Sequence, residues 1–136
     1  MDESHRMALR SGLLIIEKHL HRIRSELGHE YDSSNSILYH ARDNIDPKSK
    51  TKILNVVNSL LEEVRQIKET FKLEVVKESV GWKVYNALGE IWSILEDLRP
   101  EKLEAYGEMS NPDRELLRPH ILKLLRILDD AYEALK

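Results

Sequence analysis

Apolar side chains recur along this chain at alternating spacings of four and three residues, which is the period of one helix face. Four stretches show the pattern, and residues that start or stop helices bound each of them. The apolar positions of the first, second and last stretches are Leu9, Leu13, Ile16, Leu20, Ile23 and Leu27; Ile53, Val57, Leu60, Val64, Ile67 and Phe71; and Leu117, Ile121, Leu124, Leu128, Ala131 and Leu135. Repeated seams of this kind predict an all-α protein, an antiparallel four-helix bundle that forms a single domain over residues 1–136.

The third stretch, Val80–Leu98, carries two apolar faces instead of one. Aliphatic side chains line the first face. Trp82, Tyr85 and Trp92 form the second face, roughly 120° away at 100° per residue, with Gly89 among them. Because Trp and Tyr are enriched at protein interfaces, we predict a partner-binding surface here. Two other interpretations stay open: another segment of the chain covers this face, or the face lines a small-molecule pocket.

The long connection between the first two helices predicts a short extra helix. Its residues Ser36–Ile45 place apolar side chains at helical spacing. Asp46 followed by Pro47 then predicts the start of the second helix, since Asp caps a helix and Pro fits its first position. Ser110, followed by Asn111 and Pro112, predicts the start of the last helix in the same way.

The end of the second helix is the ambiguous part of the pattern, because no Gly or Pro lies between Lys48 and Val80. We favour a break within Lys72–Ser79, with Ser79 as the N-cap of the third helix. The aliphatic face changes phase there, and helices of about fifty residues are rare in globular domains. The alternative is one long helix over residues 47–98 in a dimeric bundle.

Composition narrows the classes of function. The chain has 136 residues and a formal net charge of −3, so no overall basic charge indicates nucleic-acid binding. It has no cysteine, which excludes disulfides, thiol nucleophiles and cysteine-ligated metals. The longest apolar run, Leu13–Ile16, is far shorter than the ~20 residues of a membrane span. We therefore predict a cytoplasmic protein with neither a membrane nor a nucleic acid as partner.

Two pairs of residues are candidates for chemistry. Glu17 and His21 lie four residues apart on one helix face, as a metal-binding pair does, although the repeated Glu-x-x-His motif of di-iron bundles is absent. Arg24 and His29, with four residues between them, have a spacing similar to that of HEPN-type ribonucleases, which are also helical bundles. That resemblance covers six residues. It implies that Arg24 stabilises phosphate charge and that His29 acts in acid–base chemistry.

Nucleophile motifs and phosphate-binding glycine loops are absent from the sequence, so it favours a protein without enzymatic activity. We predict that it acts through protein–protein contacts, as a homodimer or a small adaptor, using Trp82, Tyr85, Gly89 and Trp92. We assign no catalytic residue, metal or cofactor, and the sequence identifies no small-molecule ligand. The alternative is a HEPN-like ribonuclease or a metal-binding helical bundle, using Arg24 and His29 or Glu17 and His21.

Overall fold

Helices begin in this chain where a side chain accepts a hydrogen bond from the first helical turn. In the computed structural model, which describes residues 1–28 and 36–136, this capping bond forms at three predicted helix starts. The Asp46 side chain accepts the N–H of Ser49 at 2.9 Å, the Ser79 side chain accepts the N–H of Trp82 at 3.1 Å, and the Ser110 side chain accepts the N–H of Asp113 at 3.3 Å. The predicted caps, including Ser79, are therefore confirmed.

The described residues are helical apart from their connections, and they contain no strand, which confirms the all-α class. The helices are α1, Glu3–Gly28; α2, Pro47–Thr70; α3, Val80–Asp97; α4, Pro100–Leu103, continued by a 3-10 turn at Glu104–Tyr106; and α5, Asn111–Ala134. Helix α5 runs through Pro119 without a break.

The end of α2 shows why the long-helix alternative over residues 47–98 is wrong. The N–H of Leu73 donates to the carbonyl of Lys68 at 2.9 Å, and the N–H of Lys72 donates to that of Glu69 at 3.3 Å. This pair of bonds is a Schellman motif, which closes a helix and needs a left-handed residue. Lys72 takes that conformation, with φ 53°. Leu73 is then buried, and the chain stays non-helical up to Ser79, within the predicted break.

The short extra helix predicted at Ser36–Ile45 is wrong, because the described residues 36–46 contain only a bend and irregular chain. Ser36 Oγ does accept the N–H of Tyr39 at 3.1 Å, as a helix cap would. However, Ile37 and Leu38 are almost fully exposed. A ten-residue segment is too short to stay helical without packing against a neighbour, and these side chains have none that buries them.

The chain divides into two units, each of which is described by itself. The first, Met1–Val75, is an antiparallel hairpin in which α1 packs against α2. Leu20, Val57 and Leu73 are its buried apolar residues. On one side of the hairpin, Arg24 Nη2 donates to Asn58 Oδ1 at 2.6 Å.

The contact between α1 and α2 buries only part of the apolar positions that the sequence predicts for the core of the first unit. One neighbouring helix covers a narrow stripe, so part of each broad apolar face stays exposed. We call these exposed positions the aliphatic face of the first unit: Ile16, Ile23, Val56 and Leu60.

The second unit, Val76–Lys136, packs α3 antiparallel against α5, and α4 contacts both helices. Its buried apolar side chains are Leu95, Pro100, Ile121 and Leu128. Ion pairs join the segment around α4 to α5: Arg118 Nη2 lies 2.7 Å from Glu101 Oε1, and Arg114 pairs with Glu104. The aliphatic face of this unit consists of Val84, Ile91, Leu98 and Leu124, which are all exposed.

The contacts within the units therefore establish two helical hairpins. They do not establish a four-helix bundle. The single domain over residues 1–136 stays a prediction.

Candidate functional site

The aromatic side chains of α3 form an ordered stack at the start of the helix. Trp82 and Tyr85 are three residues apart, so they share a helix face. Their ring centroids are 5.7 Å apart and the ring planes differ by 11°, which is a stacked arrangement. The backbone N–H of Trp82 donates to Ser79 Oγ, so the N-cap of α3 fixes the backbone at the first residue of the stack.

Helix α5 adds a third ring, from Tyr132. Its centroid lies 5.6 Å from that of Tyr85, with the planes at 76°, an edge-to-face contact. Gly89 faces the same tyrosine, since a Cβ placed on it would lie 3.8 Å from Tyr132 Oη. Sequence reasoning missed Tyr132. The available signal was its position four residues after Leu128, which places it beside the seam of α5.

We call Trp82, Tyr85, Gly89, Trp92 and Tyr132 the aromatic surface. Tyr85 and Gly89 lie next to Tyr132, and Trp82 stacks on Tyr85. Trp92 lies seven residues, or two helical turns, beyond Tyr85 on the same side of α3. Trp82 is 62% exposed, Tyr85 48% and Trp92 44%. Each of these residues thus keeps about half of its surface open, and ring contacts position Trp82 and Tyr85.

A nearly flat, open part of the α3 surface lies beside the aromatic surface and includes Asn86, Gly89 and Ser93. On the other flank, Lys83 Nζ lies 3.0 Å from Glu78 Oε2. Apolar rings with polar and charged neighbours are the arrangement of a contact surface, with an apolar centre and a polar rim.

The residues of the alternative site lie in the first unit. His21 Nε2 is 3.5 Å from Glu17 Oε1, and Arg24 lies one turn further along α1. These three side chains line a groove of about 470 Å³ between α1 and α2. His29 lies outside the described residues, so the pairing of Arg24 with His29 stays a prediction.

Metal-ligand chemistry needs more groups than the Glu17 and His21 pair supplies. Across residues 1–28 and 36–136, no three His, Cys, Asp or Glu side chains come together as a metal site requires. Arg24 is held by its hydrogen bond to Asn58.

In comparisons with known proteins, no family model, curated protein or solved structure matches the chain. None of the helices in the described part of the chain is both long and apolar enough to cross a membrane.

Proposed function

We propose that this protein acts through protein–protein contact, as a homodimer joined at the aromatic surface. The observation that carries the proposal is the half-open state of Trp82, Tyr85 and Trp92 on a capped and packed helix. Large aromatic side chains that remain exposed in fixed positions lose little conformational entropy when a partner covers them.

A second copy of the chain fits this surface by symmetry. In a twofold dimer the same patch is used by both subunits, so each residue on one side meets a residue of the same set. Aromatic rings suit such self-pairing, because a ring face in one copy can stack on a ring face in the other or receive its edge. Gly89 suits it too, since the lack of a side chain lets a neighbouring backbone or ring approach α3 closely.

We propose the antiparallel four-helix bundle separately from the dimer, and a costly Val56→Ala substitution would support it. Each hairpin leaves one aliphatic face exposed, and a bundle covers such faces in a shared core. We also propose a cytoplasmic location, since a chain without cysteine gains nothing from an oxidising compartment.

The test is molecular mass in solution, by light scattering, combined with tryptophan emission during dilution. Two single-tryptophan variants, Trp82→Phe and Trp92→Phe, separate the signals of the two side chains. We expect a dimer at high concentration, and a red shift of both emissions as it dissociates. A chain that is monomeric at every concentration, with emission unchanged on dilution, contradicts the proposal.

A matched pair of charge-introducing variants tests the surface itself. Trp82→Glu places a carboxylate within the proposed interface, and it should convert the dimer to monomer. Glu at this position also completes a capping box with Ser79, so the variant should fold at least as well as the wild type. Leu116→Glu is the control, because Leu116 is 69% exposed on α5 and lies outside the aromatic surface. A dimer that survives Trp82→Glu refutes this interface.

The alternative function, a HEPN-like ribonuclease or metal-binding bundle, has the contact between Glu17 and His21 as its support. Metal analysis of the purified protein and a ribonuclease assay test it directly. Bound metal that His21→Ala removes, or ribonuclease activity that His29→Ala removes, favours this alternative over the contact proposal.

A further inference from the structure

A small pocket in the first unit gathers three positively charged side chains. It lies where the start of α1 meets the segment that follows α2. Arg6 and Arg10, one helical turn apart, come from α1, and Lys72 comes from the Schellman turn. The pocket has a volume of about 70 Å³. One water molecule needs only ~15 Å³ on this measure, so the space admits a small polyatomic ion.

The three cations of this pocket have no carboxylate partner among the residues that the structure describes. Two other cations of the same unit do form ion pairs, Lys50 with Asp43 and Arg65 with Glu62. The Nε–H of Arg10 is also buried, and no hydrogen-bond acceptor within residues 1–28 and 36–136 reaches it. A buried donor without an acceptor is costly and rare, so it indicates that something else satisfies it.

We propose that this pocket binds a small oxyanion of the phosphate or sulfate class. The guanidinium fork of arginine matches two oxygens of such an ion at once, and Arg6 and Arg10 present two forks from one face of α1. The Schellman hydrogen bonds fix the backbone of Lys72, which supplies the third positive charge.

Two carboxylates set the strength of the site. Glu3 and Glu74 also line the pocket, so three cations against two anions leave it one net positive charge. A site of this charge, open to solvent on one side, binds a divalent oxyanion with a dissociation constant on the order of millimolar.

The experiment is a titration of the full chain with inorganic phosphate, followed by nuclear magnetic resonance of the arginine side-chain Nε–H groups. Sodium chloride at equal ionic strength is the control titration. We expect the Arg10 Nε–H signal to shift and saturate with phosphate but not with chloride. A second titration with O-phosphoserine distinguishes a free ion from a phosphorylated side chain: weaker binding than phosphate supports the free ion, and tighter binding assigns the pocket to a phosphomonoester.

Charge variants complete the test. Arg10→Gln should weaken phosphate binding about tenfold, the effect of losing one charge-assisted hydrogen-bonding group. Arg22→Gln, at an exposed position of the same helix, makes the same change in net charge and should leave binding unchanged. Glu74→Gln should tighten binding, because it removes a like charge from the pocket wall. Phosphate shifts equal to those of chloride, or an equal loss in the Arg10 and Arg22 variants, overturn the proposal.

Discussion

The side of α2 that packs against α1 can be tested with two adjacent valines. Val57 is 2% exposed, whereas Val56 is 50% exposed. Substitution by alanine removes two methyl groups, which contribute ~0.8 kcal/mol each when fully buried. The better helix propensity of alanine returns about 0.5 kcal/mol at either position. With a modest cavity term for the buried site, Val57→Ala should cost about 1.5–2 kcal/mol, and Val56→Ala about 0.3 kcal/mol.

Urea unfolding followed by far-ultraviolet circular dichroism measures both losses. The two variants have the same chemistry and the same helix, so their difference of more than ~1 kcal/mol reports burial alone. A loss for Val56→Ala that equals the loss for Val57→Ala shows that the aliphatic face of the first unit is covered in solution, which refutes the exposure described here. Small losses for both show that α2 does not pack through Val57.

The remaining predictions concern the caps and Gly89. Ser79→Ala should destabilise the chain by about 1 kcal/mol in thermal unfolding, whereas Ser93→Ala, within the exposed part of α3, should not destabilise it. The backbone N–H and hydroxyl of Ser49 hold the pKa of the Asp46 carboxyl below its ordinary value of 3.8. As the pH falls, this carboxyl is therefore protonated in the unfolded chain before it is protonated in the folded chain. The stability that this carboxylate contributes is present above pH 3.8, and it is lost as the pH falls through the lower pKa of the folded chain. The Asp46→Ser variant keeps a hydrogen-bond acceptor that does not titrate. It should therefore lose less stability on acidification than the wild type. Gly89→Ala should stabilise the isolated chain by about 0.5–1 kcal/mol, because the added methyl has room, and it should weaken the proposed dimer in a dilution experiment.

Helix starts were predictable from the sequence because a cap is a local interaction. Asp46, Ser79 and Ser110 each bond a residue three positions further along, so neither partner depends on how the helices pack. The break after α2 was predictable in position but not in mechanism. A left-handed Lys72 is unusual where Gly is the common residue, and only the hydrogen bonds of the folded turn reveal it.

The packing face of each helix was harder to predict than its ends. Ile16 and Leu20 belong to one seam in the sequence, yet Leu20 is buried and Ile16 is exposed. The periodicity gives the direction of an apolar face, while the neighbour that covers it decides which edge is buried. The same limit explains Tyr132, whose role depends on the approach of α5 to Gly89. It also explains residues 36–46, where helical spacing was present but no surface buries Ile37 or Leu38.

Two of these measurements together distinguish the ways in which the exposed apolar surface can be covered. The aromatic surface and the aliphatic faces contain different residues, so they respond to different variants. In the first possible result, Trp82→Glu lowers the molecular mass in solution and Val56→Ala costs little stability. The interface then lies on the aromatic surface, and the aliphatic face of the first unit is open. In the reverse result, Trp82→Glu leaves the molecular mass unchanged and Val56→Ala costs much stability. A bundle core then buries the apolar surface, and the argument for contact through Trp82 is removed. Because aromatic rings contribute most when a partner fully desolvates them, a loss of mass for Trp82→Glu is the result that supports the proposed dimer, whereas a costly Val56→Ala supports the proposed bundle.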